Sequence, residues 1–233
     1  MIHVENLKKN YEDKVVLRGV TLSVKKGSCT ALVGRNGSGK STLIDIICQI
    51  KQANGGVVRY DFDEGRMFEY MGVQTQDSQF DGRLKVKDII SLWQSIYGDA
   101  KADLDELLDI LELKPIMDNR SDRISGGQRQ KLSILLSLLH DPELLIFDEL
   151  TTGLDATTRE DVQHYLKLLN LKRDKTIFIV SHYMDEVEAL CDQVYFLKGG
   201  VIFASGSPAE IKKKYACGSL QEFVKQYMGK EVG

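Results

Sequence analysis

No run of apolar residues in this chain approaches the ~20 that a membrane-spanning helix needs, so no segment is expected to cross a bilayer. The amino terminus, MIHVENLKKNYEDK, lacks the apolar stretch of a signal peptide, and no secretory route is expected. Cysteine is scarce: Cys29, Cys48, Cys191 and Cys217 are scattered, with no C-x-x-C pair. That argues against metal or disulfide roles and for a reducing compartment. Positive charge is not in excess either. The net charge is −3 and the one basic run, Lys212-Lys213-Lys214, reads as a solvated helix face, so nothing points to nucleic acid. There is no internal repeat and no low-complexity linker. What remains is 233 residues, 42% hydrophobic and 28% charged, the composition of one large globular domain or a core with a subdomain.

Strand patterns open the chain, at Ile2 to Lys8, Val15 to Val24 and Cys29 to Val33, with further strands expected at Val57 to Phe62 and Met67 to Val73. A helix is expected from Ser41. The middle differs: Val86 to Tyr97 and Leu104 to Leu113 carry helical spacing, the second opened by an Asp103-x-x-Glu106 capping pattern. Beyond Leu144 strands and helices alternate. LLIF before Asp148 and TIFIV before Ser181 read as buried parallel strands, with helices at Thr158 to Leu169 and Tyr183 to Leu190. Lys198-Gly199-Gly200 marks a hairpin between Gln193 to Leu197 and Val201 to Ala204. Two S-x-x-E devices start the last helices at Ser207 and Ser219.

Three segments carry chemistry. Gly34 to Ser41 reads GRNGSGKS, a P-loop between a strand and a helix; its glycines let backbone N–H groups reach phosphate oxygens that side chains would block. Lys40 then reaches the β- and γ-phosphates, Ser41 is suited to Mg²⁺, and the helix start favours anionic groups. Asp148 and Glu149 end the apolar strand LLIFDE, where a carboxylate faces ligands bound outside the carboxyl ends of strands. Asp148 would hold Mg²⁺, usually through water, and Glu149 would act as general base. Ile124 to Gln130, ISGGQRQ, puts two glycines at a helix start. Ser125 and Gln128 fit a simple capping box, yet the glycines also make a second anion site.

Together these segments resemble the nucleotide-binding domain of the ATP-binding-cassette (ABC) transporters, and the resemblance runs nearly end to end. ISGGQ is similar to the family's LSGGQ signature, with Ile124 for Leu; LLIFDE is similar to its Walker B. His182 matches the switch histidine, Thr152 to Asp155 the D-loop, and Tyr11 the aromatic that stacks on adenine. The resemblance implies an α/β fold: a P-loop NTPase (RecA-like) core over residues 1–77 and 141–233, with an amino-terminal antiparallel β subdomain. An inserted α-helical subdomain, about residues 78–140, would carry the signature. It further implies a head-to-tail dimer sandwiching two ATP, with Mg²⁺. Each site would join Gly34, Arg35, Asn36, Gly37, Ser38, Gly39, Lys40, Ser41 and Thr42 of one chain to Ser125, Gly126, Gly127 and Gln128 of the other, with Asp155 nearby. Lys40, Glu149 and His182 would be catalytic.

Gln74 and Gln76 both suit the glutamine that senses Mg²⁺ and the attacking water; counting from Gly72 selects Gln76. Leu150 stands where most members have proline after the catalytic glutamate, which restores an N–H and loosens φ, so a more mobile D-loop is expected. A separate transmembrane permease subunit is the implied partner, beside a second copy of the chain or a homologous ATPase. Phe80, Leu84, Trp93 and Tyr97 are the expected wall of its docking groove. The carboxy-terminal stretch from Asp192 to Tyr215 resembles bacterial exporter ATPases handling drugs, peptides or envelope polymers, placing the chain on the cytoplasmic face of the cell membrane. An importer ATPase, or a soluble assembly ATPase with a non-membrane partner, is the alternative.

Overall fold

Ten residues of β-favouring sequence run into a tight turn and return, and this hairpin opens the fold. The structure is a computed structural model describing residues 1–12, 14–75, 80–98 and 103–229. Strand β1 (Ile2–Tyr11) pairs antiparallel with β2 (Lys14–Val24) and, along its other edge, with β4 (Gly55–Tyr60). The alternation of Ile2, Val4, Leu17, Val20, Leu22 and Val24 puts one face inward, and all six are buried. Chain contacts divide the protein into two units, residues 1–63 with 178–233, and residues 64–177.

In the first unit, β3 (Cys29–Gly34) is buried throughout, as a continuous apolar run predicts, and feeds helix α1 (Lys40–Ile47). It pairs parallel with β8 (Gln193–Lys198), in a register that sets Gly34 beside Leu197. Strand β8 turns back into β9 (Val201–Gly206) through Gly199 and Gly200, both at positive φ, as a two-residue hairpin requires. Helices α8 (Pro208–Lys214) and α9 (Leu220–Tyr227) start where the S-x-x-E pattern predicts, with Ser207 and Ser219 accepting from Glu210 and Glu222 N–H. Phe196 and Phe223 are fully buried, their rings 4.5 Å apart, each contributing roughly 1.5–3 kcal/mol of burial. Helix α7 (Met184–Leu190) ends at Cys191, whose buried Sγ lies 3.5 Å from that of Cys29. The contact with Cys29, then burial, pushes the Cys191 thiol well up, which keeps it protonated and unreactive.

In the second unit the expected strand from Met67 is half helix. Residues 67–70 form α2 (Met67–Tyr70) and only Met71–Gln74 form β5. The 3₁₀ turn Glu64–Arg66 leads into it, Arg66 pairs with Glu69 one turn on, and Met67 is buried while Phe68 is exposed. A short apolar run suits either structure, and this local pairing decides it. Strand β5 pairs parallel with β6 (Leu144–Asp148).

Between Phe80 and His140 the described elements are helical: α3 (Val86–Tyr97), α4 (Leu104–Ile110), two 3₁₀ turns and α5 (Gly126–Leu138). Helix α4 stops short of Leu113 because Glu112 adopts a left-handed conformation, and Pro115 follows. Helix α6 (Ala156–Arg173) follows, and β7 (Thr176–Val180) spans the division between the units. Among the described residues no helix is long and apolar enough to cross a membrane.

Candidate functional site

The P-loop is built by its own backbone. Gly37 and Gly39 sit at φ 79° and 107°, conformations that glycine alone adopts without strain and that turn successive N–H groups to one side. A side chain on Gly34 would put Cβ 2.5 Å from Ser38 Oγ and 2.6 Å from the Leu197 carbonyl, so the loop closes only on glycine there. Lys40 is buried, and its Nζ donates to the Gly34 carbonyl at 2.8 Å and the Arg35 carbonyl at 3.1 Å. These bonds hold the ammonium inside the loop, where buried charge costs least. Ser38 Oγ is buried with no hydrogen-bond partner among the described residues. Arg35, Asn36 and Ser41 are exposed, and Thr42 is half-buried.

Tyr11 ends β1 with its ring half in solvent, flanked by Lys9 Nζ at 5.0 Å and Lys51 Nζ at 5.8 Å from the ring centre. A solvent-facing aromatic with cations beside it suits a purine ring. His182 follows β7 and is exposed. Its neighbour Ser181 donates to the buried carboxylate of Glu186 and accepts from the Tyr183 N–H at 3.0 Å, which shapes the turn carrying His182. Glu186 escaped the sequence reading; its signal is an acid five residues after Ser181 on an otherwise apolar helix face.

In the second unit, Asp148 is buried at the end of β6, and Glu149 is partly exposed with φ 60°. A left-handed conformation in a residue other than glycine costs roughly 1–3 kcal/mol and needs support. Gln130 supplies it: Nε2 donates to the Glu149 carbonyl at 3.2 Å and the Leu150 carbonyl at 3.0 Å. Leu150 is itself buried, so packing and hydrogen bonding hold the D-loop start that the missing proline was expected to loosen. Gln74 is fully buried at the end of β5; its Nε2 donates to the Thr75 carbonyl at 2.8 Å and lies 3.4 Å from Gln130 Oε1. Gln76, the glutamine preferred from spacing, lies outside the described residues. Gln130 was quoted within ISGGQRQ yet given no role. A cleft of about 200 Å³ is lined by Gly126, Gln130, Asp148, Glu149 and Thr152.

Ser125 caps α5: its Oγ accepts the Gln128 N–H at 3.1 Å, and Gln128 Oε1 accepts the Ser125 N–H at 2.9 Å. The reciprocal box orients both side chains and satisfies the Ser125 and Gln128 N–H groups. Gly127 is needed inside the chain, since a Cβ there would stand 2.7 Å from the Gly153 carbonyl. Around Gly126 a Cβ would meet nothing within 4 Å. Asp155 caps α6, accepting the Thr158 N–H at 3.0 Å and the Thr158 hydroxyl at 2.9 Å, with Lys131 Nζ at 3.4 Å. Those hydrogen bonds, the backbone one foremost, bring its carboxyl down to about 2.

The Ser41 hydroxyl and the Asp148 carboxylate are hard oxygen donors of the kind Mg²⁺ takes. Among the described residues no group of three or more His, Cys, Asp or Glu side chains could hold a metal.

A family model described as ABC transporter matches residues 17–152, more than half the chain. The linearmycin resistance ATP-binding protein LnrL of Bacillus subtilis (strain 168) is 31% identical over 220 residues, 91% of this chain and 70% of that protein. The Nod factor export ATP-binding protein I of Burkholderia orbicola (strain AU 1054) is 31% identical over 230 residues, 94% of this chain and 75% of that one. Among solved structures, the dimeric bacterial ABC transporter cassette MJ0796 matches with a TM-score of 0.78 at 25% identity, covering 89% of this chain and 98% of that one. A post-hydrolysis state of the same cassette, bound to ADP and Pi, matches equally at a TM-score of 0.78.

Proposed function

This chain belongs to the ABC transporter family and is an ATPase, and we propose that it powers an exporter by closing head to tail on a second copy around two ATP. The observation that carries this reading is the exposed, glycine-bearing start of α5. Ser125 and Gly126 are exposed, and a Cβ on Gly126 would meet nothing within 4 Å, which leaves room for a phosphate at this helix end. The P-loop is complete in the same chain, so a second phosphate-binding helix end serves a nucleotide held by another copy. Export rather than import is supported by relatives whose names speak of export and resistance.

On this reading the P-loop amides and Lys40 grip the triphosphate, and Tyr11 stacks on the base. Mg²⁺, held by Ser41 and Asp148 with Gln76 as sensor, supplies charge neutralisation at the phosphates. Glu149 takes a proton from water as its oxygen attacks the γ-phosphorus. The bond to the β-bridging oxygen breaks, and ADP and phosphate leave. Lys40 and His182 stabilise the charge spread over the transferred group. Loss of the γ-phosphate removes the cross-dimer contacts of Ser125, Gly127 and Gln128, and the dimer reopens. A transmembrane permease subunit receives this motion at the inner face of the membrane. Its docking side is better represented by Leu92 and Ile96, four residues apart and exposed on α3, than by the expected Trp93 and Tyr97. The latter two rings pack on each other at 6.1 Å, and Tyr97 stacks on buried His140 at 4.5 Å.

The Glu149→Gln chain with ATP and Mg²⁺ is expected to run as a stable dimer in size-exclusion chromatography, while the parent runs as a monomer. A variant that stays monomeric removes the sandwich. Affinity capture of the tagged chain from its native membranes should recover a multi-span membrane protein. A soluble partner alone would turn the reading to an assembly ATPase.

A further inference from the structure

We infer that Gln130 is a positioning residue for the general base, clamping the backbone of Glu149 from the first turns of the signature helix. The inference rests on the reading of Glu149 as the base. An amide NH₂ has two hydrogens, and Gln130 spends them on two consecutive carbonyls, those of Glu149 and Leu150, at 3.2 and 3.0 Å. Consecutive carbonyls of an extended strand point to opposite edges, so one donor reaches both only where the chain is turned. Glu149, at φ 60°, is that turn. The clamp therefore exists only while Glu149 keeps its strained conformation, and the conformation is held by the clamp.

The same arrangement fixes the other end of the amide. With Nε2 committed, Gln130 Oε1 faces Gln74 Nε2 at 3.4 Å, and Gln74 gives its second hydrogen to the Thr75 carbonyl at 2.8 Å. Gln74 is fully buried, so this orientation is set by packing as well as by hydrogen bonding. A line of two amides thus runs from the end of β5, across the start of α5, to the residue that activates water. Gln130 lies five residues from Ser125 on the helix whose exposed end meets the phosphate of another copy in the proposed dimer. Any rotation or shift of that end moves the Gln130 amide and is felt at Glu149 of the same chain. Gln130 itself touches no reacting atom; it acts through the backbone of Glu149.

Three variants of the full chain test this, assayed alone or with the membrane partner recovered with it. Gln130→Met keeps the length and removes both donors. Its kcat is expected to fall about 10–100-fold, the size of effect that a small misplacement of a catalytic group produces, with KM for ATP unchanged within about twofold. Gln130→Glu keeps shape and polarity but donates only when protonated. The ratio of its kcat to that of Gln130→Met should climb as pH falls from about 8 to about 6, because the introduced carboxyl, facing two carbonyls, regains one donor there. A kcat for Gln130→Met within about twofold of the parent, a rise in KM alone, or a flat ratio overturns the inference. Should Gln130→Met fail to fold, the Gln130→Glu profile decides by itself, as a fall in kcat relieved at low pH or as none. Glu149→Gln is the control: activity retained there sinks the base assignment, whereas activity lost there and kept in Gln130→Met sinks only the positioning role.

Discussion

The P-loop and the signature segment both place glycines ahead of or at the start of a helix, and Gly34 and Gly126 sit there in opposite surroundings. At Gly34 the neighbours are the chain's own: Ser38 and the Leu197 carbonyl fill the space a side chain would take. At Gly126 a side chain would meet nothing. Gly34 is required by the packing of its own fold, whereas at Gly126, which is not at positive φ, neither packing nor backbone conformation requires glycine. Gly127, 2.7 Å from the Gly153 carbonyl by its absent Cβ, belongs with the first kind although it lies beside the second.

The strongest way to break this comparison is Gly34→Ala. Its methyl meets backbone at 2.6 Å, so β8 must shift. We expect a loss of roughly 1–3 kcal/mol of stability, as overpacking gives, read as a fall in Tm of about 5 °C for a chain of this size. Binding of a fluorescent ATP analogue should weaken at least about tenfold, since the loop carbonyls that hold Lys40 move with it. Gly126→Ala sharpens the contrast, because the signs should separate. Alanine in a helix is favoured over glycine by up to about 1 kcal/mol, so thermal unfolding should be unchanged or slightly later. ATP turnover should fall about tenfold or more if, as in the proposed dimer, the other copy's phosphate approaches this point. A variant both less stable and fully active would undo the distinction.

The smallest effect concerns Asp155, predicted from the resemblance to serve the nucleotide and found capping α6. Its folded carboxyl lies at about 2, against about 3.9 in an unfolded chain. The stability it contributes is therefore present above about pH 4 and is lost as pH falls towards 2. Asn caps nearly as well but does not titrate. Asp155→Asn should have a lower urea midpoint than the parent at pH 7 and lose less between about pH 4 and about pH 3. Equal losses in both would show that the cap does not respond to its charge.

Much of the fold was legible because its signals are local. The run Cys29 to Val33, the Gly199-Gly200 turn and the S-x-x-E helix starts each carry their physics within a few residues, and each lies where expected. Met67 to Tyr70 was misread as strand because four residues are too few to show a period; the segment follows a 3₁₀ turn and forms a single helical turn, with Arg66 and Glu69 paired along it. In the site, GRNGSGKS and LLIFDE were readable as a loop and a buried strand because their glycines and apolar run act locally. Gln130 and Glu186 were not, because each answers to a partner that the folded chain brings up. Glu149 and Leu150 lie 19 and 20 residues from Gln130.

Sequence by itself determined the P-loop, the two glycines at a second helix start and the acids at a strand end, and with them the expectation of an ATPase. Those features are written in residue types whose chemistry survives in any surroundings: glycines for bare amides, lysine for charge, aspartate and glutamate for metal and water. Tertiary structure alone decided what holds them in working geometry. The left-handed turn at Glu149, the amide line from Gln74 through Gln130, and the difference between a crowded glycine and an open one depend on distances between segments far apart in the chain. Side-chain identity sets which bonds a residue can make, and only packing sets which of them it does make.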